Sequence, residues 1–399
     1  MNFNESKLGD LCEIRAGGTP SRSNSEYWNN GDIPWIKIGD INNKYVKSAS
    51  EYITVDGLNN SSAKLFKKGT ILYTIFATVG EVAILDFDAT TNQAIVGLNH
   101  NEKIDTNYLY YFLKSQKDKI SNIGRGVAQN NINMSILRDI KVPIPDKNVQ
   151  LKISEVLDNA QVLIDKRKKQ IEELELLVKS KFIEMFGDPI NNPMKWEVKK
   201  MKDISVNIMS GNTPKGGEQV YVESGIMFLR SQNVWKNKLL LDDVAYIDQA
   251  THNKMKKSSL KNKDILMTKT GRINTENSSL GRAAMFLGED DSANINGHVY
   301  LIRLQEQIIN EFVLYILTSK EYRGYIRSVC VGGIDKRQLN KEHIEDFPII
   351  FPPIEKQKKF VSYVKQVDKL KFEMEKSLKE LEDNFNSLMQ KAFKGELFN

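Results

Sequence analysis

The sequence predicts an α+β protein: two tandem-duplicated α/β domains joined by two long helices that form an antiparallel coiled coil. Three observations predict it. The chain of 399 residues is written twice. Each copy has short apolar runs punctuated by turn residues. Each copy then passes into a long Pro- and Gly-free stretch with heptad spacing.

The repeat is read from ordered pairs of segments. Gly17-Gly18-Thr19-Pro20 returns as Gly211-Asn212-Thr213-Pro214, and Ile33-Pro34-Trp35-Ile36-Lys37 returns as Ile226-Met227-Phe228-Leu229-Arg230. Tyr108 to Ser115 returns as Phe312 to Ser319, and Ile140 to Pro145 returns as Phe347 to Pro352. Solenoid repeats run about 20–50 residues, so an offset of about 193 to 207 residues marks duplication of a whole folding unit. The predicted boundaries are 1–146 for the first globular domain, 147–187 for the first long helix, 188–353 for the second domain and 354–399 for the second helix.

Within the first domain, Ile33–Ile38, Gly69–Ala77, Val82–Leu85 and Ala94–Leu98 read as strands bounded by Gly, Asn and Asp. Asp105 to Ile120 reads as one helix with an Asp/Thr start and a basic end. In the first long helix, Leu157, Ala160, Ile164, Ile171, Leu174 and Val178 fall on the seam, with Arg167 as a polar interruption. In the second, Val364, Val367, Met374, Leu378, Leu381, Phe385 and Leu388 do so, with Lys371 interrupting. At ~1.5 Å per residue a helix from Gln150 to Phe186 runs about 50 Å. The simplest partner for each apolar seam is the other helix. Packing of each helix on its own domain is the alternative.

Composition excludes several classes. Forty per cent hydrophobic and 27 per cent charged residues describe an ordinary globular chain. No stretch approaches the ~20 apolar residues that span a bilayer, and the start MNFNESKLGD, without a basic or an apolar region, is not expected to act as a signal peptide. Cys12 and Cys330 are the only cysteines, which fits a reducing cytoplasm rather than a disulfide framework. The net charge of +6 tolerates a polyanionic partner.

Catalytic motifs fail on inspection. Gly211 to Gly217 lacks the Lys-Ser/Thr pair of a phosphate loop, and Glu218 follows instead. Asn191-Asn192-Pro193-Met194 lacks the second proline and the aromatic of an amino-methyltransferase motif. Asp188, Glu197 and Lys199 have nuclease residue types, but Asp188 sits in a helix-stop turn and only one copy has it. The four histidines are scattered without metal-ligand spacing.

Recognition is the better reading. Polar and basic side chains of the kinds that hold phosphates and read base edges cluster in three places. The first is the loop with Arg15, Thr19 and Arg22, matched by Lys215, whose backbone amides and basic residues suit a phosphate. The second is Arg125 with Gln129, Asn130 and Asn131, matched by Lys336 and Arg337. The third is Lys37, matched by Arg230 beside Gln232, with Lys269 and Arg272 adding a basic loop in the second copy.

Taken with Lys68-Gly69-Thr70-Ile71-Leu72, Asn92-Gln93-Ala94 and Glu184 to Pro189, these segments resemble the specificity subunits of type I restriction-modification systems over nearly the whole length. Phe228 in place of Trp35, and an insertion near Ile273–Ser279, depart from the first copy. The resemblance implies two target-recognition domains on double-stranded DNA, each reading half of a bipartite site. It implies a helix pair that sets the spacer and docks two methyltransferase subunits, with two restriction-translocase subunits joining them. Catalysis, S-adenosylmethionine, ATP and Mg would belong to those partners, with no cofactor in this chain. The expected location is the cytoplasm of a bacterium or archaeon, associated with the nucleoid and not with a membrane. Rival expectations are a self-contained nuclease or methyltransferase and a non-catalytic coiled-coil scaffold binding two protein partners.

Overall fold

The computed structural model describes residues 3–124, 132–273, 275 and 277–398. The chain divides into two compact units. Unit 1 comprises residues 1–170 and 374–399, and unit 2 comprises residues 171–373.

Unit 1 is built on a five-stranded sheet in the order Cys12–Ala16, Ile95–His100, Ile71–Thr74, Val82–Leu85, Tyr45–Val46. The neighbours run antiparallel except the last pair, which is parallel. Ile71–Thr74 and Val82–Leu85 are buried at every position. Both faces of these strands are covered, which is why they read as unbroken apolar runs rather than alternating ones. Glu51–Ile53, Ile33–Ile36 and Thr90–Thr91 form a second, smaller sheet. Asn4–Lys7 pairs antiparallel with Lys141–Ile144.

The helix that begins at Thr106 is capped by Asp105, whose side chain accepts from the Tyr108 amide at 2.9 Å. It does not continue to Ile120 as one piece. It stops at Ser115, and a second helix starts at Lys117. The Ser115 hydroxyl donates to the Phe112 carbonyl at 2.6 Å, and the Gln116 amide reaches back only to Leu113 at 3.1 Å. A serine that satisfies a helix's last carbonyls competes with the next turn. Unit 2 breaks at the same repeat position: Ser319 separates Asn310–Thr318 from Lys320–Val329.

Unit 2 repeats the plan. One four-stranded sheet has the order Ser205–Ser210, Val299–Leu304, Ile265–Thr268, Ala283–Met285. A second has the order Tyr221–Val222, Ala245–Ile247, Ile226–Leu229, Ala293–Ile295. Val198–Lys200 pairs with Pro348–Ile350 as Asn4–Lys7 pairs with Lys141–Ile144. A three-stranded ribbon, Thr270–Arg272, Lys336–Gln338 and Val331–Gly332, completes the unit.

The long helices are Lys147–Phe186 and Ile354–Lys394. A buried glutamine anchors each near its start. Gln150 Nε2 donates to the Pro145 carbonyl at 2.9 Å, and Gln357 Nε2 donates to the Pro352 carbonyl at 2.7 Å. In unit 1, Ile153, Leu157 and Ile164 share one core with Phe385, Met389 and Ala392, and with Tyr73, Leu98 and Tyr111 of the globular part. Lys168 pairs with Glu382 at 2.8 Å. In unit 2, Lys371 pairs with Glu175, while the Phe182 and Phe186 rings stand 5.3 and 5.6 Å from Phe360. Contacts that climb one helix while descending the other define antiparallel pairing. Phe182 also meets Phe312 and Tyr315. Each helix therefore buries its seam on the other helix and on a globular core at once. No described helix is long and apolar enough to cross a membrane.

Candidate nucleic-acid interface

In unit 1 the strand Ile33–Ile36 delivers Lys37 to a turn spanning Ile38–Asp40. The Lys37 amide donates to Asp40 Oδ2 at 2.8 Å, which fixes the end of the strand. The Lys37 ammonium and the Arg22 guanidinium both pair with the Glu51 carboxylate, on the neighbouring strand. Arg22 first, then Lys37, hold Glu51 below the usual carboxylate range by hydrogen bonding to its charged form. The Arg22 guanidinium also lies 3.6 Å from the Trp28 ring centre and 4.8 Å from that of Trp35. Trp35 is locked in turn, with its Nε1 donating to the Gly18 carbonyl at 2.9 Å.

The structure thus brings Arg22 and Lys37 together. Arg15 pairs with Glu13 on its own strand, and the Thr19 hydroxyl bonds Gln93. Among the described residues, no hydrogen bond or ion pair joins Arg15 or Thr19 to the Glu51 group. The expectation of a backbone phosphate cradle at this loop is corrected at two amides. The Gly17 amide donates to Ile95 O at 3.0 Å and the Gly18 amide to Thr91 O at 2.9 Å, so the two sheets already use both. A Cβ at Gly17 would fall 2.4 Å from the Asn92 carbonyl, and one at Gly211 2.4 Å from the Asn296 carbonyl. These glycines serve close backbone packing. Arg125, Gln129, Asn130 and Asn131 lie outside the described residues.

In unit 2 the strand Ile226–Leu229 delivers Arg230 to the turn Ser231–Asn233. The Arg230 amide donates to Asn233 Oδ1 at 2.8 Å. Arg230 Nη2 donates to Asp243 Oδ1 at 3.0 Å, and Gln232 Nε2 donates to Asp243 Oδ2 at 3.0 Å. Hydrogen bonds from Gln232, then Arg230, keep the Asp243 carboxyl low. Arg230 Nε is buried with no hydrogen-bond partner among the described residues.

Lys215 is exposed beside Gly216 and Gly217, which adopt φ of 107° and 59°. Lys269, Arg272, Lys336 and Arg337 come from two loops far apart in sequence, and the ribbon joins them. Arg272 stands opposite Lys336, and Gly271 opposite Arg337. The Leu339 amide donates to Lys269 O at 2.9 Å. Lys269 lies 5.6 Å from the Tyr300 ring centre, and Arg272 pairs with Asp335 at 3.3 Å. Sequence reasoning missed Trp28, Glu51 and Asp243, which hold the basic residues in place. No spacing signal marks them, because tertiary folding rather than helical or strand periodicity brings them to their partners in turns and at strand ends. Among the described residues no group of three or more His, Cys, Asp or Glu is placed to hold a metal ion.

Residues 1–176 and 193–383 match the family described as type I restriction modification DNA specificity domain. The chain is 28% identical over 413 residues to the type I restriction enzyme MjaIX specificity subunit of Methanocaldococcus jannaschii, covering 98% of this chain and 92% of that protein. It is 31% identical over 162 residues to the EcoR124I/EcoR124II specificity subunit of Escherichia coli, covering 39% of this chain and 40% of that one. Among solved structures, a chain from work on complex assembly and conformational transition of the type I R-M system aligns with a TM-score of 0.64 at 17% identity. That alignment covers 99% of this chain and 98% of the other. The type I S subunit from M. genitalium aligns with a TM-score of 0.52 at 18% identity, covering 98% and 96%. These two likenesses concern the fold.

Proposed function

The chain belongs to the type I restriction modification DNA specificity family, and from that premise we propose that each globular region reads one half of a bipartite DNA site. The helix pair would set the spacing between half-sites and dock two methyltransferase subunits, with two restriction-translocase subunits completing the assembly. The chain acts by recognition. S-adenosylmethionine, ATP and Mg belong to the partners in this reading.

One observation carries it. Both copies end an equivalent strand on a cation, Lys37 or Arg230, and hold it against a carboxylate of the neighbouring chain segment. Such cations keep a defined geometry and can exchange their acid for a phosphate or a guanine edge. A protein-binding scaffold accounts for the helices but gives no reason for this repeated basic device. Neighbouring polar groups suit the same role, Gln232 in unit 2 and Arg22 stacked on Trp28 in unit 1.

The test is a genome-wide map of methylated adenine in the host, with and without the gene. The expected result is loss of one motif made of two short half-sites around a fixed gap. An unchanged map in a host whose methyltransferase subunit co-purifies with this chain would refute the reading. Duplex binding should also weaken steeply with salt, because each phosphate the protein neutralises releases counterions.

A further inference from the structure

Unit 2 gathers three arginines that no carboxylate among the described residues pairs with. Arg323 and Arg327 lie four residues apart on the helix Lys320–Val329, one turn along the same side. The helix buries Tyr322 and Ile326 instead. Arg282 comes from the residue before the strand Ala283–Met285. Its guanidinium stacks on Trp235 at 3.8 Å, its Nε donates to Ser278 O at 3.0 Å, and its Nη2 donates to Asn277 O. Arg327 Nη2 reaches Thr275 O at 3.4 Å. Arg323 keeps a buried Nη2 that has no hydrogen-bond partner among the described residues.

Arg323 opposes the charge of Arg282, and Arg327 opposes that of Arg323. Burial, then the charge of Arg323, pulls Arg282 below the ordinary guanidinium value. Burial, then Arg327, does the same to Arg323. No ion pair among the described residues includes any of the three. A fold does not assemble such a cluster for stability, since like charges at this spacing repel. Unit 1 shows that the framework does not need it. By strand register, Arg282 occupies the place of Glu81, because Ala283 opposite Met267 corresponds to Val82 opposite Tyr73. Glu81 pairs with Lys117 at 2.6 Å. The charge is reversed, and among the described residues no carboxylate neutralises it.

Arg282 also lines an open groove of about 510 Å³ with Thr270, Arg272, Ser279 and Lys336. Hydroxyls and cations around an open groove suit a tetrahedral oxyanion on a continuous backbone better than one isolated carboxylate. We infer that Arg282, Arg323 and Arg327 hold backbone phosphate of the DNA bound by unit 2. This rests on the reading of unit 2 as a DNA-recognition domain and adds residues outside the basic clusters visible in the sequence. A bound phosphate relieves the repulsion between the guanidinia.

The test uses the full chain and a random-sequence duplex, with affinity measured from low to moderate salt. The double variant Arg323→Gln/Arg327→Gln should bind more weakly, by the same factor on unrelated duplexes. The slope of log affinity against log salt should become shallower by about 0.9 for each phosphate no longer held. Arg323→Lys/Arg327→Lys should keep most of the slope. Thermal melting separates this from a structural role: the Gln variant should melt no lower than wild type, because it sheds repulsion. A wild type that binds duplex and a Gln variant with unchanged affinity and slope would overturn the site and leave the DNA-recognition reading standing. Loss of an acidic protein partner with unchanged duplex binding would also overturn it, assigning the cluster to protein binding. A wild type with no duplex affinity at any salt overturns both.

Discussion

Lys37 and Arg230 occupy the same place in the two copies but are held differently. Lys37 shares Glu51 with Arg22, and Arg22 is stacked on a pair of tryptophans whose ring centres lie 5.0 Å apart. Arg230 shares Asp243 with the neutral Gln232, and Phe228 stands where Trp35 would be. Behind them the framework is nearly invariant. The turn after each strand is closed by a side chain accepting from the cation's own amide at 2.8 Å, Asp40 in one copy and Asn233 in the other. Asn92 N bonds Ile36 O at 3.1 Å, and Asn296 N bonds Leu229 O at 3.0 Å. Backbone geometry has been kept through the duplication, while the presented chemistry has diverged. On the proposed function, two readers built on one frame would recognise different half-sites.

The strongest way to break the comparison is to alter what the copies share. Removing one heptad from both long helices shortens each by about 10 Å, equivalent to roughly 3 base pairs. Both half-sites should survive with a shorter gap, and affinity for the original site should fall by about 10³-fold or more. Methylation mapping checks this, and altered half-sites around an unchanged gap would defeat it.

Stability comes next. Phe360 and Ile153 hold the same repeat position on the two helices, and both are fully buried. Phe360 sits in an aromatic cluster with Phe182, Phe312 and Tyr315. Phe360→Ala should cost about 3–5 kcal/mol and Ile153→Ala about 2–5 kcal/mol. Denaturant melts of the full chain should show the larger loss for the phenylalanine, and equal losses would argue against the aromatic cluster as the difference between units.

Base reading sharpens the comparison further. Lys37→Ala and Arg230→Ala should each relax specificity in one half-site only, by about 1–3 kcal/mol. Binding to variant duplexes measures this. Relaxation of both half-sites by either substitution would contradict a one-domain, one-half-site division.

The smallest effect is expected at the acid partners. Glu51→Gln frees Arg22 and Lys37 and should strengthen non-specific duplex binding by under about 1 kcal/mol, because the ion pairs are partly exposed. Glu51 has a lowered pKa in the folded state, with Arg22 as the larger cause and Lys37 next. Its pairing is fully present above the unfolded carboxylate value and is lost as pH falls through the folded one. Acidic pH should therefore strengthen duplex binding more in the wild type than in the variant, which keeps only the response of the other carboxylates, Asp243 among them. A variant with the same acid response would remove Glu51 from the account.

Much of this was legible in the residues alone. The duplication, the buried strands, the Asp105 cap and the heptad seams follow from local pattern. Leu157, Ile164, Leu174 and Val178 are buried as the seam requires. The break at Ser115 escaped that reading, because apolar periodicity runs straight through it, and what accompanies the break is a local bond from the serine to Phe112 O. The candidate site was legible as residue types but not as groups. Arg22 with Lys37 needs Glu51 between them, and Arg272 beside Lys336 needs the strand pairing of the ribbon.

The sequence by itself determined the two-copy plan, the helix seams and the residue types carried by the loops, because these depend on spacing within one element. Only the tertiary structure decided which cations share an acid, that the Gly17 and Gly18 amides belong to the sheets, and that Arg323 lies between the charges of Arg282 and Arg327 with no acid among the described residues. Those outcomes depend on strand register and on which neighbour fills the same few ångströms, and residues distant along the chain set both.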